Sequence, residues 1–138
     1  MKYLKLVAVI SSFFLCLSLA QAQDAGTMAS SAFRQGQYAD AAQLYDTAAS
    51  LESDKVKKEG YYADAKKSRT CISLLAQVKS LYDDAQKVGT EEAYEAAKKK
   101  CKALLQYNKY DTTAKRILLD CETQIAQLAQ VRLEEETW

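Results

Sequence analysis

Histidine and proline are both absent from the 138-residue chain, and only four glycines interrupt it. Without histidine, the commonest general base and the commonest neutral metal ligand are missing. Gly26, Gly36, Gly60 and Gly89 are scattered, so no glycine-rich loop exists to cradle a phosphate. The lack of proline removes the residue that most sharply breaks a helix. Charge of one sign is missing too: 19 basic and 18 acidic side chains leave +1 at pH 7. That gives no basic footprint for nucleic acid and no reason to expect an anionic membrane surface as partner.

What remains is rich in Ala, Leu, Lys, Glu and Gln, a composition that favours helix throughout. The N-terminus reads differently. Lys2 and Lys5 precede an apolar run from Leu6 to Leu19, and Ala20-Gln-Ala22 has the small-x-small pattern of a cleavage site. Residues 1–22 are therefore expected to be a secretory signal peptide, the run being shorter than the ~20 apolar residues that span a bilayer. Cys16 would serve a lipoprotein site, but Phe14 and Leu15 before it are not small. Residues 23–138 then form one exported helical domain, periplasmic or at the cell surface, with no transmembrane segment.

Apolar residues recur at helical spacing in this remainder. Met28, Ala29, Ala32 and Phe33 form one stripe, and Gly36 separates it from a second with Tyr38, Ala41, Leu44, Tyr45 and Ala48. Ser53 or Asp54 can cap the next helix. From Lys55 to Val88 the pattern predicts one long helix, or two with a break near 68–70, carrying Cys71, Ile72, Val78, Tyr82, Ala85 and Val88 on its apolar side. Gly89 and Thr90 read as a stop and a fresh N-cap. The following helix bears Tyr94, Ala97, Cys101 and Leu104. Asp111 or Thr112 then caps a last helix with Ala114, Ile117, Leu118, Cys121, Ile125, Leu128 and Val131. Glu134 to Glu136 oppose the helix dipole at its C-terminus, so that end is expected to fray.

The run Gly36, Tyr38, Ala41, Tyr45, Ala48 resembles the second-helix signature of the tetratricopeptide repeat (TPR) family, with no gap. Tyr94, Ala97, Cys101 and Leu104 repeat its spacing. The chain departs from the family at Ala25, where a large aromatic is usual, at Lys109, where many repeats have proline after Asn108, and in the longer interval between the two matches. The resemblance implies an all-α fold, a short TPR-like α-solenoid of antiparallel helices with a C-terminal capping helix. It implies a scaffold that binds a protein or peptide without chemistry. Carried over residue by residue, the partner groove would hold Ser30, Phe33 and Arg34, then Lys79, Tyr82 and Gln86, then Arg116 and Asp120. With so few repeats, the missing apolar cover can also come from a second copy or from a cell-envelope complex.

No catalytic, cofactor-binding or metal-ligating set is expected. Cys71, Cys101 and Cys121 match no zinc spacing, and each lies on an apolar stripe where a thiol packs as a small hydrophobe. A Cys101–Cys121 bridge is the alternative that adjacent helices would permit. Lys98, Lys99, Lys100 and Lys102 form the one basic cluster. Glu95 stands one turn earlier, which makes ordinary surface ion pairs the simpler reading and an anionic ligand the sharper one.

Overall fold

The computed structural model describes residues 19–137, all helix apart from short connections and without a strand. The lysines and most of the apolar run of the expected signal, together with Cys16 and Trp138, lie outside the described residues. Helix α1 occupies residues 19–34, α2 Tyr38–Leu51, α3 Lys55–Val88, α4 Glu91–Tyr107 and α5 Thr112–Glu136. The expected cleavage point after Ala22 falls inside α1, and Ala22 itself is buried. None of the helices among the described residues is long and apolar enough to cross a membrane. α3 is one unbroken helix through residues 68–70.

The chain divides into two compact units, and α3 contributes to both. The first contains α1 as far as Phe33, α2 and residues 55–69 of α3. Its core is Ala29, Ala32, Ala41, Tyr45 and Ala65, edged by Phe33, Leu44 and Tyr61. Small side chains let these helices approach closely. At Gly26 an added Cβ would stand 2.7 Å from the Tyr61 ring, so that ring lies directly on the α1 backbone. The turn after α1 uses Gly36 at φ 77°, and the Gln37 N–H reaches back to the Ala32 carbonyl at 2.9 Å. This six-to-one bond around a left-handed residue is the Schellman way of ending a helix. Between α2 and α3, Asp54 Oδ1 accepts the Lys57 N–H at 2.9 Å and supplies the N-cap.

The second unit contains residues 34–36, the rest of α3, α4 and α5. Gly89 (φ 70°) follows α3, and the Thr90 hydroxyl accepts the Ala93 N–H at 3.4 Å to start α4. α4 buries Tyr94, Ala97, Cys101 and Leu104 and packs along α5, which buries Ala114, Ile117 and Cys121. Arg132 of α5 pairs with Glu91 of α4 at 3.1 Å, so the two run antiparallel. Asp111 begins α5: its Oδ1 accepts the Ala114 N–H at 2.7 Å.

Two expectations need correction. The apolar stripes are narrower than the sequence suggests: Met28, Ile72, Val88 and Val131 all point outward, and Met28 is 59% exposed. Met28 and Ile72 each sit one residue, or 100° of helix, from a smaller buried residue, Ala29 and Cys71, that already fills the contact, whereas Val88 and Val131 lie near helix ends where no row is buried. The C-terminal turns are not frayed either. α5 continues to Glu136, with Gln130 Nε2 donating to Glu134 Oε1 at 3.1 Å along its surface. The cysteines are as expected: Cys101 and Cys121 are buried thiols, and the alternative bridge is not formed.

Two glycine substitutions are predicted to act in opposite directions. Gly36→Ala forces a Cβ into a left-handed residue and to 3.3 Å from Asp111 Oδ2, which should lower stability by more than about 1 kcal/mol. Gly60→Ala lies inside α3 with nothing within 4 Å of the new methyl and should raise it by about 0.5–1 kcal/mol. Urea denaturation of the two variants measures both.

Candidate functional site

In the first unit, Ser30 and Phe33 are half-buried on α1. The Phe33 ring meets Tyr38 edge-on at 5.3 Å, the arrangement that aromatic quadrupoles favour. Its other neighbour was not foreseen: Lys67 Nζ lies 5.0 Å from the Phe33 centroid, an ammonium over a ring face. Phe33 is thus neither a free anchor nor a core residue. It is an edge residue with a cation above it. Nearby on the same unit, Arg69 of α3 pairs with Asp46 of α2 in an exposed contact, of a kind that adds little stability.

In the second unit, Arg34 turns to the 108–111 loop. Its guanidinium carbon lies 5.6 Å from the Tyr110 centroid, and Lys109 Nζ lies 5.1 Å from the same ring. Buried Asn108 holds the loop to this segment, donating from Nδ2 to the Arg34 carbonyl at 3.4 Å and accepting the Tyr110 N–H at 3.1 Å. The only sequence signal for this cluster was two tyrosines flanking a lysine in a loop that the helical pattern left unassigned.

Tyr82, Gln86 and Asp120 are brought together. The Tyr82 hydroxyl donates to Asp120 Oδ2 and accepts from Gln86 Nε2, the latter at 3.1 Å. The tyrosine is pushed up to about 12, chiefly because its proton serves the Asp120 carboxylate, then through burial; Arg116 works in the opposite direction. Lys79 and Arg116 are exposed on α3 and α5. The hydroxyl and carboxylate first read as partner-facing therefore satisfy each other and tie α3 to α5.

The thiols are poor nucleophiles. Burial, then the proximity of Cys121 and Asp111, pushes Cys101 up to about 11, and burial followed by Asp120 raises Cys121 as well. Thiolate is the reactive form, so both are protonated near neutral pH. Among the described residues no group of three or more His, Cys, Asp or Glu side chains is placed to hold a metal ion.

Two hollows are lined by described residues. One of about 680 Å³ lies in the first unit between Leu19, Gln23, Glu52, Lys57, Tyr61 and Asp64. The other, about 630 Å³, runs along the outer face of α4 beside Ala96, Lys98, Lys99, Lys102 and Ala103. Lys98 is paired with Glu95 at 2.7 Å, as the spacing suggested, and that bond raises its pKa. Compared with protein-family models, with curated proteins and with solved structures, the chain gives no match to any of them.

Tyr82→Phe should cost about 1 kcal/mol at neutral pH, one hydrogen bond's net contribution. The folded-state pKa lies above the ordinary 10, so the tie is complete below pH 10 and lost as pH rises toward 12. Denaturation of both proteins across that window should show the wild-type advantage shrinking; an advantage constant with pH would remove the Tyr82–Asp120 bond as its source.

Proposed function

We propose that the chain is an exported, non-catalytic, TPR-like helical scaffold that binds a protein or peptide. The observation that carries this reading is a repeated one. Tyr38, Ala41, Tyr45 and Ala48 are buried on α2, with Ala42 and Ala49 beside them, and Tyr94, Ala97, Cys101 and Leu104 are the buried face of α4. The same spacing thus packs a helix in each unit, as a repeat would. The solenoid stacking of those helices and the role of α5 as a capping helix belong to the same proposal. Protonated, buried thiols and the lack of histidine favour binding over chemistry. Signal cleavage after Ala22 would place residues 23–138 in the periplasm or at the cell surface. It would also remove Leu19 from the wall of the first-unit hollow.

Of the groove residues, Arg34, Lys79, Gln86 and Arg116 are exposed, Arg34 lying over Tyr110 and Gln86 bonded to Tyr82. A second reading, an assembly module of a cell-envelope complex, is favoured by large apolar side chains turned to solvent at Val88, Leu119 and Leu133.

Affinity capture from envelope extracts tests the groove. Arg34→Ala and a combined Lys79→Ala, Arg116→Ala variant should each lower recovery of a specific partner, by roughly tenfold for a contact worth ~1.4 kcal/mol. Full recovery by both variants would remove these residues from the binding surface.

A further inference from the structure

We propose that a second copy of this chain docks the acidic end of its α5 on the lysine-flanked hollow of α4. The hollow is open, and all of its lining side chains belong to α4. Ala96 and Ala103 are two turns apart on α4 and form a shallow floor, with Lys98, Lys99, Lys102, Glu95 and Gln106 beside it; Glu95 is taken up by Lys98, which leaves Lys99 and Lys102 as the uncompensated charges. Small residues on such a floor let a helical ridge approach closely. Lys99 and Lys102 are exposed and make no ion pair among the described residues.

The complementary surface lies at the other end of the same unit. Residues 131–137 are all exposed although residues to Glu136 are helical, and Val131 and Leu133 are 52% and 60% exposed. Val131 and Glu135 are four residues apart and share one face, with Glu136 beside them. Three acids in a last helical turn oppose the dipole there, so cations from outside are favoured at this position twice over, by the carboxylates and by the helix end.

The chain cannot satisfy the lysines with its own terminus. α5 packs antiparallel along α4 with Arg132 beside Glu91 at the start of α4, and Glu135 and Glu136 continue away from it. Lys99 and Lys102 lie in the opposite direction, roughly 12–17 Å along α4 at 1.5 Å per residue. Self-contact would require unwinding the end of α5. Two copies related by a twofold axis can exchange these ends, making the contact twice. This face is separate from Arg34, Lys79, Gln86 and Arg116, so its failure leaves the proposed groove untouched.

Charge reversal tests it in sedimentation experiments on the purified full chain. The variants are Lys99→Glu with Lys102→Glu, and Glu135→Lys with Glu136→Lys; all four side chains are exposed, and circular dichroism confirms that each variant is folded. Wild type should dimerise, more tightly at low than at high salt. Each variant alone should dimerise roughly tenfold or more weakly, and an equimolar mixture of the two should regain the dimer. A wild-type monomer under all conditions, a dimer indifferent to both reversals, or a mixture that stays monomeric overturns the proposal. So does a monomer whose α4 face binds an unrelated glutamate-rich helical peptide, which would assign the face to a different partner.

Discussion

The separation of the helices is set by alanine. Ala29, Ala41, Ala48, Ala49, Ala65, Ala85, Ala97 and Ala114 have no exposed surface at all. Fully buried large side chains are few, with Tyr38, Leu104, Ile117 and Val78 the biggest. Such a core gains less from the volume of any one side chain than from bringing backbones close, where many weak dispersion contacts add up. It also leaves no room. Larger groups in place of these alanines would force the helices apart at a cost of ~1–3 kcal/mol each. Cys71, Cys101 and Cys121 fit the same constraint, as side chains slightly larger than alanine at positions with no exposed surface.

Close packing demands helices that begin and end at defined places. That work falls on a few polar residues in the connections. Asp54, Thr90 and Asp111 each accept an N–H three residues on, and Glu52 accepts the Asp54 N–H at 3.0 Å. Asn108 bonds both to its own loop and to the end of α1, and Gly36 leaves space for the Asp111 carboxylate beside it. None of the buried side-chain nitrogens or oxygens among the described residues lacks a partner. A chain without proline thus fixes its turns through side-chain hydrogen bonds and two left-handed glycines, Gly36 after α1 and Gly89 after α3. The partner-facing residues proposed above are held by helices anchored in this way.

Local patterns were legible in the sequence, and contacts between distant segments were not. The buried rows on α2 and α4, the stop at Gly89, and the caps at Asp54, Thr90 and Asp111 all depend on residues within one turn of each other. The width of each buried row does not. Ile72 is as apolar as its neighbours, but the packed face already belongs to Ser68, Cys71 and Val78, and a polar serine at 0% exposure is invisible to hydropathy. Ser68 is accommodated because its hydroxyl donates to the Asp64 carbonyl at 2.8 Å within α3. The candidate groove failed to announce its own internal bonds for the same reason. Tyr82 and Asp120 are far apart in sequence, and only the fold reveals that they engage each other. Lys67 over Phe33 and Arg34 over Tyr110 are likewise pairings that no spacing rule predicts.

The measurement that most directly probes a thin, closely packed and chemically silent core is thiol accessibility. The native protein is treated with a bulky alkylating reagent, and the modified positions are mapped by mass spectrometry before and after denaturation. Cys71, Cys101 and Cys121 have no exposed surface, and burial holds Cys101 and Cys121 in the protonated state. All three should stay unmodified in the folded protein and react together once it unfolds. Rapid labelling of Cys101 or Cys121 in the native state would contradict that packing and reopen a thiol-based chemistry for the chain.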